Sequence, residues 1–151
     1  MYPNRFEYSC PASLQETISL LSNHQDEAKL LAGGQSLLSM MKLRLANPRY
    51  LIDLSRVPGL NSIREENGKI VVGAMTNYTQ IKGSRMLQSK CPLLPQTASL
   101  VADVQVRNRG TIGGSLAHAD PAADMPAAIL ALGAELKAVG PKGERWIKAE
   151  D

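Results

Sequence analysis

The sequence predicts an α+β chain in two lobes, and three observations carry that prediction. Strand and helix signals alternate over the first fifty-odd residues, Pro58-Gly59 then interrupts the chain, and an Asn67-Gly68 hairpin opens a second run ending in a pair of strands. Alternating elements mark a layered lobe that buries one face of a sheet under helices. The expected division is therefore 1–57 for the first lobe and 58–151 for the second.

The elements follow in order. Phe6 to Ser9 is a strand candidate closed by Pro11, and Ser13 with Glu16 three residues on has the form of a capping box. Leu14, Ile18 and Leu21 recur at helical spacing to about Asn23, and Ala28 to Leu31 is a short strand running into Gly33-Gly34. Gln35 to Leu43 reads as a helix, ended by Asn47-Pro48, and Tyr50 to Leu54 as a buried strand. Ile63 to Val72 reads as two strands joined at Asn67-Gly68. Thr76 is expected to cap a helix through Ile81, and Pro92 and Pro95 to frame one over Leu93 to Ala102. An alanine-rich helix is expected over Pro121 to Leu132, then strands at Ala134 to Val139 and Glu144 to Ile147. The chain then stops at Asp151, close behind a strand signal, so the second lobe is expected to be incomplete.

The totals exclude several classes. A chain of 151 residues, 44% apolar, has no run near the roughly 18 apolar residues of a membrane-spanning helix. The opening MYPNRFEYSCPASLQE lacks the charged-then-apolar pattern of a secretory signal. Cys10 and Cys91 lie far apart in no metal-like spacing, so reduced thiols and a cytoplasmic location are expected. The net charge of +3 suits an anionic ligand or an acidic partner subunit. Nucleic acid is not expected, because the basic residues are scattered and one Phe and one Trp offer little surface for stacking bases.

Two glycine loops hold the chemistry. Ala32-Gly33-Gly34-Gln35-Ser36 sits between a strand and a helix, where glycines let a ligand approach the backbone. Amides at the helix start, the helix dipole and the Ser36 hydroxyl are what a pyrophosphate needs, although a plain strand–helix turn has the same composition. There is no GxxxxGK[ST] and no GxGxxG, which removes the P-loop and the Rossmann dinucleotide loop. The second loop, Thr111-Ile112-Gly113-Gly114-Ser115, repeats two glycines between hydroxyls. Asp120 reads as the N-cap of the helix that begins at Pro121, and Asp124 as an acceptor for sugar hydroxyls.

Other residues carry less. His24 lies in a polar turn, and His118 lacks a nucleophile or second histidine, so no catalytic residue is expected. His118, Asp120 and Asp124 only imitate a metal site, and no metal is expected. Leu37, Leu38, Met40 and Met41 read as core first and cofactor wall second. Arg107 and Arg109 are open between an anchor for the second loop and a subunit contact.

Taken in order, AGGQSLL, LRLANPRYLIDLSRVPGL, VGAMTNYTQI and VADVQVRNRGTIGGSLAHADPAADMPAAILALGAEL closely resemble the FAD-binding medium subunit of molybdenum hydroxylases, the carbon monoxide dehydrogenase and xanthine dehydrogenase relatives. The resemblance runs nearly end to end and implies a two-lobed fold of the vanillyl-alcohol-oxidase (PCMH) type with FAD between the lobes. It implies that Ala32, Gly33, Gly34, Gln35 and Ser36 hold the pyrophosphate, bordered by Leu31 and Leu37. It further implies that Thr111, Ile112, Gly113, Gly114 and Ser115 clamp the cofactor from the second lobe. Asp124 would bind ribityl or ribose hydroxyls, and Val101 and Ala102 would lie near the flavin. Ser115 stands where some relatives carry Asn, and both can donate a hydrogen bond.

The same resemblance implies a chain short of its family, without the C-terminal domain. The implied activity is that of an oxidoreductase component, passing electrons from the iron–sulfur clusters of a small subunit to NAD, a quinone or oxygen. A molybdopterin large subunit would oxidise the substrate, with the 2Fe-2S clusters and molybdopterin both on partner subunits. The alternative is a truncated or flavin-free assembly module of the same complex.

Overall fold

The computed structural model describes residues 2–151. Its first elements are β1 (Glu7–Ser9), α1 (Leu14–His24), β2 (Ala28–Leu31), α2 (Leu37–Lys42) and β3 (Tyr50–Asp53). The three strands form one sheet in the order β1-β3-β2, with both pairings parallel. Parallel neighbours cannot be joined by a tight turn, so the intervening helices serve as crossovers. The central strand β3 carries Leu51 and Ile52, only 2% and 1% exposed, as expected of a strand covered on both faces.

Local chemistry sets the element ends. Ser13 Oγ accepts from the amide of Glu16, whose own carboxylate accepts from Ala12 rather than from the cap residue's amide. The helix expected over Gln35 to Leu43 is shorter, Leu37–Lys42. Arg44 turns the chain at φ +61, and the amides of Leu45 and Ala46 both fold back to the Met40 carbonyl. Of the apolar row on this helix Met41 is core; Leu37 and Met40 are half-buried and Leu38 is exposed.

The hairpin forms as expected. Strands β4 (Ile63–Glu66) and β5 (Lys69–Val72) pair antiparallel about Asn67 at φ +51 and Gly68 at φ +74, the two positive φ values of a type I′ turn. Six helices follow: α3 (Tyr78–Gly83), α4 (Arg85–Lys90), α5 (Leu93–Leu100), α6 (Val104–Arg109), α7 (Ile112–His118) and α8 (Asp124–Ala131). Strands β6 (Glu135–Gly140) and β7 (Gly143–Lys148) close the chain as an antiparallel pair.

Asn77, not Thr76, caps α3, exchanging both bonds of a capping box with Gln80. Thr76 is buried, and its hydroxyl donates to the Ser62 carbonyl. The helix expected to reach Ala102 stops at Leu100, because Ala102 turns left-handed at φ +38. Asp120 does not cap α8, which starts three residues later than a cap there would place it. Its carboxylate and carbonyl instead accept from Ala122 and Ala123, closing a separate turn.

One apolar cluster holds this part together: Tyr78, Ile81, Leu87, Leu94, Ala98, Ile112, Met125 and Ile129. It is built from α3, α4, α5, α7 and α8. Among the described residues no helix is long and apolar enough to cross a membrane.

Candidate functional site

The first glycine loop leaves the sheet where β2 ends, at Leu31, paired with Asp53. Among the described residues, the amides of Gly33, Gly34, Gln35 and Ser36 have no protein acceptor. The Ser36 hydroxyl makes no capping bond. Consecutive unpaired N–H groups in a turn form a concavity for an anion. Gly34 supplies the positive φ, +76, that bends the loop. Leu31 and Leu37 stand half-buried at its two ends.

Gly33 has a different reason to be glycine. A Cβ there would stand 2.1 Å from the Arg109 carbonyl oxygen and 2.9 Å from Gly110 Cα. The first loop is therefore seated against the chain entering the second. A Cβ on Gly114 would in turn meet Ala32 Cβ at 3.5 Å. The fold brings the two motifs, some eighty residues apart in sequence, to one junction.

The second motif is not a loop of the same kind. Thr111 is the N-cap of α7, and Ile112 to Ser115 form the first turn of that helix. The amides of that turn are all used: Ile112 donates to Thr76, Gly113 to Ala74, Gly114 to Thr111 Oγ1 and Ser115 to Thr111 O. A Cβ on Gly113 would meet Ala74 Cβ at 2.5 Å. Segment 74–79 supports this turn from behind, with Asn77 Nδ2 donating to the Asn108 carbonyl and the Thr79 hydroxyl to Asn108 Oδ1. That support was not apparent in the sequence, because a β-bridge between Asn77 and Thr111 leaves no local pattern.

Asp124 opens α8 with an exposed carboxylate that has no hydrogen-bond or ion-pair partner among the described residues. Tyr78 joins it to the second motif. Burial raises the Tyr78 phenol above its ordinary pKa; the nearby Ser115 hydroxyl opposes the rise and the charge of Asp124 adds to it. Val101 and Ala102 form the turn between α5 and α6, and the Arg107 guanidinium donates to both their carbonyls. Arg107 thus anchors this turn rather than the glycine motif.

A second cluster went unnoticed in the sequence. The Tyr8 hydroxyl donates to Asp53 Oδ2 at 2.6 Å, at the end of the sheet where the first loop leaves it. Burial pushes the Asp53 carboxyl up, but hydrogen bonds from Tyr8 and Ser55 and the charge of Arg109 hold it below its usual value. The same bond to Asp53 drives the Tyr8 phenol well above its own. Arg109 therefore bears on the first loop and on the sheet it leaves, with its carbonyl at Gly33 and its charge at Asp53.

The arrangement fits a dinucleotide: unpaired amides for a pyrophosphate, an unpartnered carboxylate for sugar hydroxyls, and apolar residues beside both. No group of three or more His, Cys, Asp or Glu is placed to hold a metal among the described residues. His118 is exposed, and Cys10 and Cys91 are free thiols.

Comparison with known proteins agrees. Residues 4–151 match the family described as the FAD binding domain in molybdopterin dehydrogenase. The chain is 50% identical over 150 residues to the carbon monoxide dehydrogenase medium chain of Hydrogenophaga pseudoflava, covering 99% of this chain and 52% of that one. It is 42% identical over 151 residues to the 6-hydroxypseudooxynicotine dehydrogenase complex subunit alpha of Paenarthrobacter nicotinovorans, covering 100% and 51%. A solved carbon monoxide dehydrogenase from Hydrogenophaga pseudoflava, lacking the Mo-pyranopterin moiety of its molybdenum cofactor, superposes with a TM-score of 0.98 at 51% identity, over 99% of this chain and 52% of that one. The chain spans about half the length of the relatives it matches.

Proposed function

We propose, because the chain belongs to the family of FAD-binding domains in molybdopterin dehydrogenases, that it holds the flavin of such a complex in a cleft between two lobes. The observation that carries this reading is the junction of the glycine motifs, where four unpaired amides stand beside a fully bonded helical turn. Ala32 to Ser36 hold the pyrophosphate, with Leu31 and Leu37 as apolar borders. Thr111 to Ser115 form the opposing wall, a rigid surface more than a set of donors. Asp124 accepts from ribityl or ribose hydroxyls, and Val101 and Ala102 lie by the flavin ring.

The lobes are residues 1–57 and 58–151. The parallel sheet that ends at Asp53 and the separate apolar cluster between Tyr78 and Ile129 support that division. When bound, FAD supplies the redox chemistry, taking electrons singly or in pairs. The chain's own residues bind it, fix its orientation and set its electrostatic surroundings. In the complete complex an iron–sulfur small subunit delivers electrons that a molybdopterin large subunit has taken from substrate. NAD, a quinone or oxygen then receives them, in the cytoplasm.

The test is a titration with FAD, FMN and ADP followed by flavin fluorescence and calorimetry. FAD should bind, ADP more weakly, and FMN, without the pyrophosphate, not detectably. Equal binding of FMN and FAD, or no FAD binding by a folded chain, overturns the reading.

A further inference from the structure

We propose that Arg107 is a positioning residue for the flavin ring, acting through the Val101–Ala102 turn; this rests on the placement of that turn beside the flavin proposed above. The observation is a strained turn with an evident clamp. Ala102 sits at φ +38, a region that L-residues other than glycine avoid. Such conformations persist only where the surroundings determine them more than once. Here Asp103 caps α6 by accepting from the Val106 amide, which fixes the turn on its far side. Arg107, one helical turn further along, sends Nη1 back to the carbonyls of Val101 at 2.8 Å and Ala102 at 3.0 Å. A guanidinium is permanently charged and rigid, so one Nη1 donating to two carbonyls holds both peptide planes at once.

The clamp has a use beyond the turn itself. Among the described residues Arg107 pairs with no carboxylate, so its charge is spent on these carbonyls. Leu100 and Val104 flank the turn at 77% and 60% exposure, making an apolar ledge suited to the face or edge of an aromatic heterocycle. Six residues of α6 then lead from the ledge to Arg109, whose carbonyl meets Gly33. At 1.5 Å per residue this is about 9 Å, so Arg107 couples the ledge to the phosphate loop through one short, rigid helix.

The test compares the wild-type chain with Arg107→Gln, Arg107→Lys and, as a control, Arg85→Gln, whose exposed side chain makes no hydrogen bond among the described residues. Each is checked for folding by far-ultraviolet circular dichroism. FAD affinity, visible circular dichroism of bound flavin, its midpoint potential and amide exchange across 101–104 are then measured. Arg107→Gln should weaken FAD binding on the order of tenfold, as expected for loss of charge-assisted bonds. It should also alter the flavin dichroism and potential, and speed exchange in the turn without FAD. Arg107→Lys should recover part of each effect, and it replaces the Gln variant should that one not fold.

Wild-type affinity, dichroism and potential in folded Arg107 variants would overturn the proposal and leave the flavin reading standing. A folded wild-type chain that binds no FAD would overturn the flavin reading, and this role with it. Equal losses in Arg85→Gln would also overturn it, because the effect would then follow charge removal in general.

Discussion

Gly33 and Gly34 are neighbours with different physical reasons to lack a side chain, so the same substitution should separate them. Alanine at 33 drives a Cβ to 2.1 Å from the backbone carbonyl of Arg109 at the end of α6, which cannot yield without parting the two motifs. The expected cost is about 3 kcal/mol, the upper range for overpacking, with FAD binding lost alongside. Alanine at 34 meets mainly the flexible end of Leu38 and otherwise bears the left-handed penalty of about 1 kcal/mol. Thermal melts of the two variants check this, and equal destabilisation would refute the junction. Asp124→Asn tests binding without folding. The exposed, unpartnered carboxylate should be neutral within about 0.5 kcal/mol, while FAD affinity falls about tenfold, the worth of one charged hydrogen bond.

At the level of elements, the Tyr8–Asp53 bond ties β1 to the end of β3 and makes that tie depend on pH. The folded carboxyl of Asp53 lies below its unfolded value, so its contribution is present above about pH 4 and is lost as pH falls through the folded value. The Tyr8 phenol is raised, so its contribution is complete below about pH 10 and is lost as pH rises through the folded value. Tyr8→Phe should therefore lower the denaturation midpoint at neutral pH, with the difference from wild type shrinking as acid protonates the Asp53 carboxylate. A constant difference from pH 2 to 7 would show that the bond does not govern it. Elements specified by neighbouring residues were legible in the sequence: the Asn67-Gly68 hairpin, the Ser13 cap and the apolar β3. Helices α4, α6 and α7 were not, because short helices inside a cluster are held by packing and by caps such as Ser84 and Asp103, not by periodicity. Asp120-Pro121 misled for a related reason: the pair suits a helix start, but the carboxylate closes a turn instead.

Across the whole molecule, both glycine motifs were legible, but not that their chemistry differs, since hydrogen-bond partners such as Ala74 and Thr76 lie far along the chain from Gly113 and Ile112. That difference gives a prediction about the site as a unit. In the free chain the amides of 33–36 have no acceptor and should exchange rapidly, while those of 112–115 are bonded and should already be protected. Saturating FAD should protect 33–36 by direct hydrogen bonding. Residues 112–115 should gain only through global stabilisation, about 2.7 kcal/mol at a hundredfold excess over Kd. ADP carries the pyrophosphate without the flavin, so it should protect the first loop and leave the 101–104 turn unchanged. Hydrogen exchange read by mass spectrometry or NMR resolves all three segments in one experiment. Protection of 112–115 ahead of 33–36 would reverse the roles, making the helical turn the principal binding element and the first loop a hinge between lobes.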